Sequence, residues 1–507
     1  MSSLKVNVIA NYAGQIWTAI MMIAFIPLYL EILGAESFGL VGIMLSLQAI
    51  SQMFDFGVGG AVNRELATRV GNRERVPSAA NLIRTLEWVV WPMALMVGGL
   101  ISLCSEWIST VWLSGQQLSV EELENSLIII GVVVACLWPS NFYLNCLSGL
   151  EKQPLMNVIT ASFTTLRSVG VLPVLFFLAP TISAFLWWNV VVAVLQTLLL
   201  AVVVWHTIGT RRLSLDAKFS FDELASVAKF ASGMFLITVL ALVLTQVDRL
   251  MLSGLSPLSE LGYYTVALSV AAGIGKLIQP MFTALYPRFS RLHAAEDDIG
   301  LTELYRQSCQ WSSVILSAAG AVLIVFSEQI LYLWTGDADT SVQLRCVLAV
   351  LVAGAVLNGL VTIPYALQLA KGWTRLSVGV NAVSVLFAIP FCYQAINSYG
   401  MLGAASLCLV LNVTYVFVAV PLMHQKLLPG GWLRWFFNDT FPIICTAIIT
   451  ALACSFLLPE TTRDLIGLLW LGLVCSIVGL AAMFSSSVVR RFALEKLQLY
   501  FGLNLSN

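Results

Sequence analysis

Apolar residues along this chain gather into long runs separated by short polar breaks. A run of roughly 20 apolar residues crosses a bilayer as a helix. Fourteen such runs can be drawn: 7–33, 38–62, 83–111, 125–148, 156–179, 183–207, 228–253, 259–285, 309–334, 343–368, 376–396, 401–423, 438–458 and 465–485. The first is too long for a signal-peptide core and leads straight into a second, so it reads as a retained helix. Pro27, Pro92, Pro139, Pro173, Pro280, Pro364 and Pro390 lie within runs. Membrane helices tolerate them because neighbours re-satisfy the freed carbonyls. The pattern predicts an all-α, polytopic membrane protein with fourteen transmembrane helices.

Several runs carry polar residues at steps of three and four, which places each set on one helix face. The first has Asn7, Asn11, Gln15 and Thr18; the second has Gln48, Gln52, Asp55 and Gly59. The fifth has Asn157, Thr160, Thr164 and Arg167. The seventh has Thr238, Thr245 and Arg249, with Asp248 adjacent; the eighth has Thr265, Ser269, Lys276, Gln279 and Thr283. Isolated Ser, Thr or Asn usually glues helices together. Ions are different, because one near the bilayer centre costs about 2.5–3.5 kcal/mol even on the lenient insertion scale. Lys276 and Arg167 lie roughly 15 Å from water, at 1.5 Å per residue. Each therefore faces either a buried acid or a wet cavity. Arg249 lies closer to an end, where snorkelling to the interface is the competing reading.

Composition agrees with the pattern. Of 507 residues, 59% are hydrophobic and only 10% charged, against about 45–50% and 25% in soluble domains. The mean hydropathy is +0.89. These values exclude a cytosolic enzyme, a secreted disulfide scaffold and a disordered chain. The net charge of -1 hides a sidedness. With the N-terminus inside, 21 of the 26 basic residues fall in cytoplasmic segments or span entries. That bias predicts cytoplasmic N- and C-termini and an even number of spans. The longest outside segment, 112–124, is too short to fold as a catalytic domain. No CxxC pair, HExxH motif or Cys/His cluster occurs, so neither a metal nor a cofactor is expected. No nucleic-acid partner is expected.

Three pairs of local matches share nearly one offset. Gly39 corresponds to Gly262 at a shift of 223, Gly115 to Gly336 at 221, and Gly149 to Gly372 at 223. Each pair falls at the same rank of span. The offsets predict two six-helix lobes related by a parallel internal repeat, 1–210 and 211–425, followed by two extra helices and a tail, 426–507. The richest polar stripes then fall on the first two spans of each copy, as the lining of a hydrated, slightly cationic cavity.

The stretch Asn11-Tyr12-Ala13-Gly14-Gln15, then Ile26-Pro27-Leu28-Tyr29-Leu30 and Phe38-Gly39-Leu40, resembles the opening of bacterial polysaccharide flippases. Asp55-Phe56-Gly57 with Asn63-Arg64-Glu65-Leu66-Ala67 is similar as well. So is Asp248-Arg249-Leu250-Met251-Leu252 with Leu261-Gly262-Tyr263-Tyr264. This family belongs to the multidrug, oligosaccharidyl-lipid and polysaccharide exporter superfamily. The resemblance implies movement of an undecaprenyl-diphosphate-linked oligosaccharide from the inner to the outer leaflet of a bacterial plasma membrane. The partners expected are that lipid-linked oligosaccharide and membrane lipid, with room for other polysaccharide-assembly membrane proteins.

On that reading Lys276, Arg249 and Arg167 attract the diphosphate. Gln279, Asn11, Gln15, Gln48 and Gln52 meet sugar hydroxyls, each of which costs several kcal/mol to bury unpaired. Asp248 is a candidate for binding a coupling proton or sodium ion, which the energetics permit without requiring. Asp55 with Arg64 is a candidate inner gate. The alternative is a cation-coupled multidrug exporter of the same superfamily. It calls for an acid within the first span, where Asn11 and Gln15 stand and the only acid, Glu31, is at the outer end. A membrane-embedded glycan polymerase is disfavoured by the short outside loops and the lack of a nucleophile–base pair.

Overall fold

A computed structural model describes residues 14–51, 58–69, 76–113, 115–208, 219–428, 431–457 and 465–491. Their backbone is almost wholly helical and contains no strand. Among the described residues, eleven helices are long and apolar enough to cross a membrane. The fold divides within one long helix into two compact units, Met1–Thr265 and Val266–Asn507.

The first unit holds α1 (Gly14–Ala24), α2 (Ile26–Ser51), α3 (Val58–Arg69), α4 (Val76–Leu103), the short α5 (Ser105–Trp107), α6 (Val120–Gly149), α7 (Gln153–Phe177), α8 (Ile182–Thr207), α9 (Phe221–Leu255) and the first turns of α10 (Leu258–Ala294). The second holds the rest of α10, α11 (Asp298–Val325), α12 (Ser327–Thr335), α13 (Ala338–Ala370), α14 (Arg375–Thr414), α15 (Val420–Leu427), the one-turn α16 (Gly431–Arg434), α17 (Phe441–Ser455) and α18 (Leu465–Ser485).

Two of these helices are interrupted. At Gly34 the backbone takes φ 79°, ψ 163°, and at Gly400 φ 54°, ψ −131°. Only glycine enters these regions freely, so each helix breaks there without a loop. Gly34 falls between the first and second apolar runs, and Gly400 between the eleventh and twelfth. In contrast, 286–308, the polar stretch between the eighth and ninth runs, is mostly helix. α10 continues to Ala294 and α11 starts at Asp298. Asp297 ends the turn, its carboxylate accepting the Gly300 N–H at 2.8 Å. Polar residues here carry the helices beyond their apolar parts.

Lipid tails are as apolar as Leu, so close packing rather than water exclusion joins membrane helices. In the first unit α4 and α6 meet at glycine: a methyl on Gly98 would lie 2.5 Å from the Gly131 carbonyl oxygen. Around them Leu82, Ile83, Leu86, Tyr143, Leu147 and Trp205 form a buried core. In the second unit Phe326 of the α11–α12 turn packs with Ala447 of α17 and Val478 and Ala482 of α18.

The tightest approach is between the start of α10 and the part of α2 after Gly34. A methyl on Gly262 would overlap the Ala35 carbonyl oxygen, and one on Gly39 would overlap the Leu258 carbonyl oxygen. A methyl on Gly42 would overlap the Thr265 hydroxyl. The residues on the two sides correspond by the offset of 223 read from the sequence: Ala35 to Leu258, Gly39 to Gly262 and Gly42 to Thr265. The contact is thus reciprocal, each side offering a glycine to the other's carbonyl.

Candidate functional site

In the second unit the site is one face of α10. Lys276 stands at the midpoint of this helix, 18 residues from each end, or about 27 Å. Lys276, Gln279, Thr283 and Tyr286 are exposed, at steps of three and four. Ile274, Ile278, Leu285 and Phe289 on the opposite face are buried. That division explains the helix: its apolar face packs into the unit and its polar face is left uncovered. Among the described residues Lys276 has neither a hydrogen bond nor an ion pair.

In the first unit Arg167 of α7 is half-buried and donates from Nη2 to the Gln196 side-chain oxygen on α8 at 3.0 Å. Its partner is an amide and not an acid, and its Nε has no partner. Nearby, Trp17 of α1 donates to the Thr165 hydroxyl of α7 at 2.8 Å. This bond holds α1 against α7, with Gln15 exposed on α1. Gln48 is half-buried on α2.

Asp248 is buried near the end of α9. Its Oδ2 accepts the Tyr264 hydroxyl of α10 at 2.5 Å, and its Oδ1 has no partner. Arg249, the next residue, is half-buried with an unpartnered Nε. Asn11, Gln52 and Asp55 lie outside the described residues, as does the side chain of Arg64 on α3. The proposed Asp55–Arg64 gate therefore stays an expectation.

The structure adds three buried carboxylates that pattern reading missed. Glu36 accepts backbone N–H bonds from Gln116 and Gln117, both at 2.7 Å, and from Leu118 at 3.2 Å. Glu87 accepts from Tyr143 at 2.7 Å, Trp205 at 2.9 Å and Arg84 at 3.0 Å. Asp439 takes both Nε and Nη2 of Arg306 at 3.2 Å and Gln310 at 2.7 Å. Gln310 in turn accepts the Ser486 hydroxyl at 2.7 Å, which ties α17 and the end of α18 to α11. Each carboxylate is fully engaged in structural bonds, so these groups hold helices rather than ligand. The signal available was a lone acid at the margin of an apolar run. Among the described residues no group of three or more His, Cys, Asp or Glu could hold a metal ion.

A family model described as polysaccharide biosynthesis protein matches residues 4–293. A second, for MatE, matches 234–394. A protein of Shigella flexneri named "Putative O-antigen transporter" is 22% identical over 410 residues, covering 80% of this chain and 94% of its own. Among solved structures, the lipid II flippase MurJ in its inward closed conformation superposes with a TM-score of 0.67 at 13% identity, covering 96% of this chain and 99% of that one. An inward-facing multidrug resistance MATE transporter of the MOP superfamily gives 0.66 at 15% identity, covering 83% and 94%. At such identities the structural likeness establishes a shared helical transporter fold.

Proposed function

Because the chain belongs to the polysaccharide biosynthesis protein family, whose model matches more than half of it, we propose that this multi-pass membrane transporter flips a lipid-linked oligosaccharide. The substrate on this reading is an O-antigen, capsule or exopolysaccharide repeat unit on undecaprenyl diphosphate. It passes from the inner to the outer leaflet of the plasma membrane by alternating access.

The observation that carries the proposal is Lys276, a cation at the midpoint of a candidate membrane span, on an exposed polar face and with no acid partner among the described residues. An uncompensated ion at that depth is costly and marks a substrate path. Its sign selects an anion, and a diphosphate is the anion of a lipid-linked glycan. Arg167, bonded among the described residues to an amide, adds a second positive group. Gln279 and Thr283 beside Lys276 offer hydrogen bonds that replace water around sugar hydroxyls. The inside-negative potential favours outward movement of negative charge, by about 2.3 kcal/mol per charge per 100 mV. The same cationic character disfavours the multidrug alternative. Two lobes at 1–210 and 211–425, fourteen spans in all and cytoplasmic termini are part of the proposal.

The test is to delete the gene and assay the inner leaflet for accumulated lipid-linked oligosaccharide. Accumulation, reversed by the wild-type gene, is the expected result. Altered drug sensitivity with normal glycans would support the multidrug exporter instead. Cysteine labelling of intact cells checks the orientation: reagent should reach 112–124 from outside and fail to reach a cysteine placed at Asn72.

A further inference from the structure

One turn and more along α10 from Lys276, the same uncovered face turns aromatic. Phe282 and Tyr286 lie with ring planes only 4° apart and centroids 6.1 Å apart. Tyr365, from α13, joins Phe282 at 18° and 6.2 Å. Rings packed fully face to face would bring their centroids much closer than this. Near-parallel planes at 6 Å mean rings slid past one another, which leaves much of each face open. Tyr286 is 40% exposed and Phe282 and Tyr365 are half-buried. Neither tyrosine hydroxyl has a hydrogen-bond partner among the described residues.

An aromatic row in a membrane span usually meets lipid. This one continues a stripe of Lys276, Gln279 and Thr283, which would be costly against hydrocarbon. Rings with open faces, free hydroxyls and neighbouring amide and hydroxyl groups suit a ligand that is apolar on one face and polar at its rim. A pyranose is such a ligand: its C–H face stacks on an electron-rich ring while its hydroxyls bond sideways. We propose that Phe282, Tyr286 and Tyr365 form a platform for the glycan, with the diphosphate held at Lys276. The inference rests on the flippase reading and assigns the sugar subsite within it. All the residues belong to one unit, so the site is complete there.

The experiment uses the full chain in lipid nanodiscs and native mass spectrometry with two probes. One is undecaprenyl diphosphate; the other is lipid-linked oligosaccharide extracted from cells lacking this protein. Wild type should prefer the glycan-bearing lipid. Tyr286→Ala and Tyr365→Ala should each lower that preference about tenfold, the size of one aromatic contact, and leave binding of the bare lipid unchanged. Tyr286→Phe and Tyr365→Phe should keep most of it. Bare-lipid binding doubles as the control for folding, and Tyr286 is exposed enough to be removed safely. Undiminished preference in both alanine variants overturns the platform. So does a wild type that binds both lipids equally, although the flippase reading then survives. A wild type that binds neither lipid defeats the flippase reading itself.

Discussion

Asp248 and Tyr264 are joined by a 2.5 Å hydrogen bond from the tyrosine hydroxyl to Oδ2, while the other carboxylate oxygen, Oδ1, is buried without a partner. A buried carboxylate with one free oxygen is placed to take up a proton or to meet a sodium ion. Asparagine at 248 keeps an acceptor for Tyr264 but cannot ionise. Asp248→Asn should therefore fold and express normally yet lose any dependence of transport on an ion gradient. Flipping in reconstituted vesicles, with and without a proton or sodium gradient, measures this. A gradient effect that persists in the variant would leave Asp248 only a structural role.

Lys276 gives the opposite balance of stability and function. Among the described residues nothing pairs with it, so Lys276→Ala should change stability by no more than about 0.5 kcal/mol. Glycan export should nevertheless fall severely, and Lys276→Arg should restore at least part of it. Complementation of a deletion strain at matched expression, alongside thermal unfolding of the purified variants, separates the two effects. Equal export by the alanine variant and wild type would show that the charge has no part in transport.

Gly262 has no room for a methyl, because its neighbour is the Ala35 backbone and not a side chain that could turn aside. Gly262→Ala should cost about 1–3 kcal/mol through overpacking. Gly273, further along the same helix, has nothing within 4 Å of an added methyl. Gly273→Ala should be neutral or slightly stabilising, since alanine is the better helix former by up to about 1 kcal/mol. Thermal denaturation in detergent compares them directly. A Gly262→Ala protein as stable as wild type would mean the two helices separate easily.

At the start of α13, Asp337 caps the helix. Its carboxylate accepts the N–H groups of Asp339 at 3.2 Å and Thr340 at 3.3 Å, as well as the Thr340 hydroxyl. The Thr340 hydroxyl bond chiefly, with the backbone bonds behind it, holds the carboxyl below the ordinary value of 3.8. A depressed carboxyl stabilises the folded helix start fully above that ordinary value. The contribution disappears as the pH falls through the lower, folded value. Amide exchange in the first turn of α13 should speed up in that acidic window beyond its intrinsic pH dependence. Asp337→Asn, whose cap cannot titrate, should lack the extra acceleration.

Much of this architecture is written in the periodicity. The uncovered face of α10 follows from Lys276, Gln279 and Thr283 recurring against Ile274, Ile278 and Leu285, and Gly34 and Gly400 mark two boundaries between apolar runs. The partners of the ions are less legible. Arg167 looks the same in sequence whether it meets an acid or, as here, the Gln196 amide. Glu36 reads as a solvated loop acid, because the backbone N–H groups of 116–118 that bury it carry no side-chain signature. Asp439 and Arg306 are 133 positions apart, and nothing local to either names the other. The aromatic row escaped for a related reason: Phe282 and Tyr286 belong equally well to a lipid-facing stripe until Tyr365 arrives from another helix.

The reciprocal contact of Gly39 and Gly262 has a bearing on ancestry. A surface that meets its own counterpart, each glycine under the other's carbonyl, is what two identical subunits form about a two-fold axis. It places no requirement on the segment that joins the two sides. Two half-length chains could build it as a dimer, and end-to-end duplication of one gene would leave it intact. On the repeat read from the sequence, the two glycines would be the seam of such a fusion.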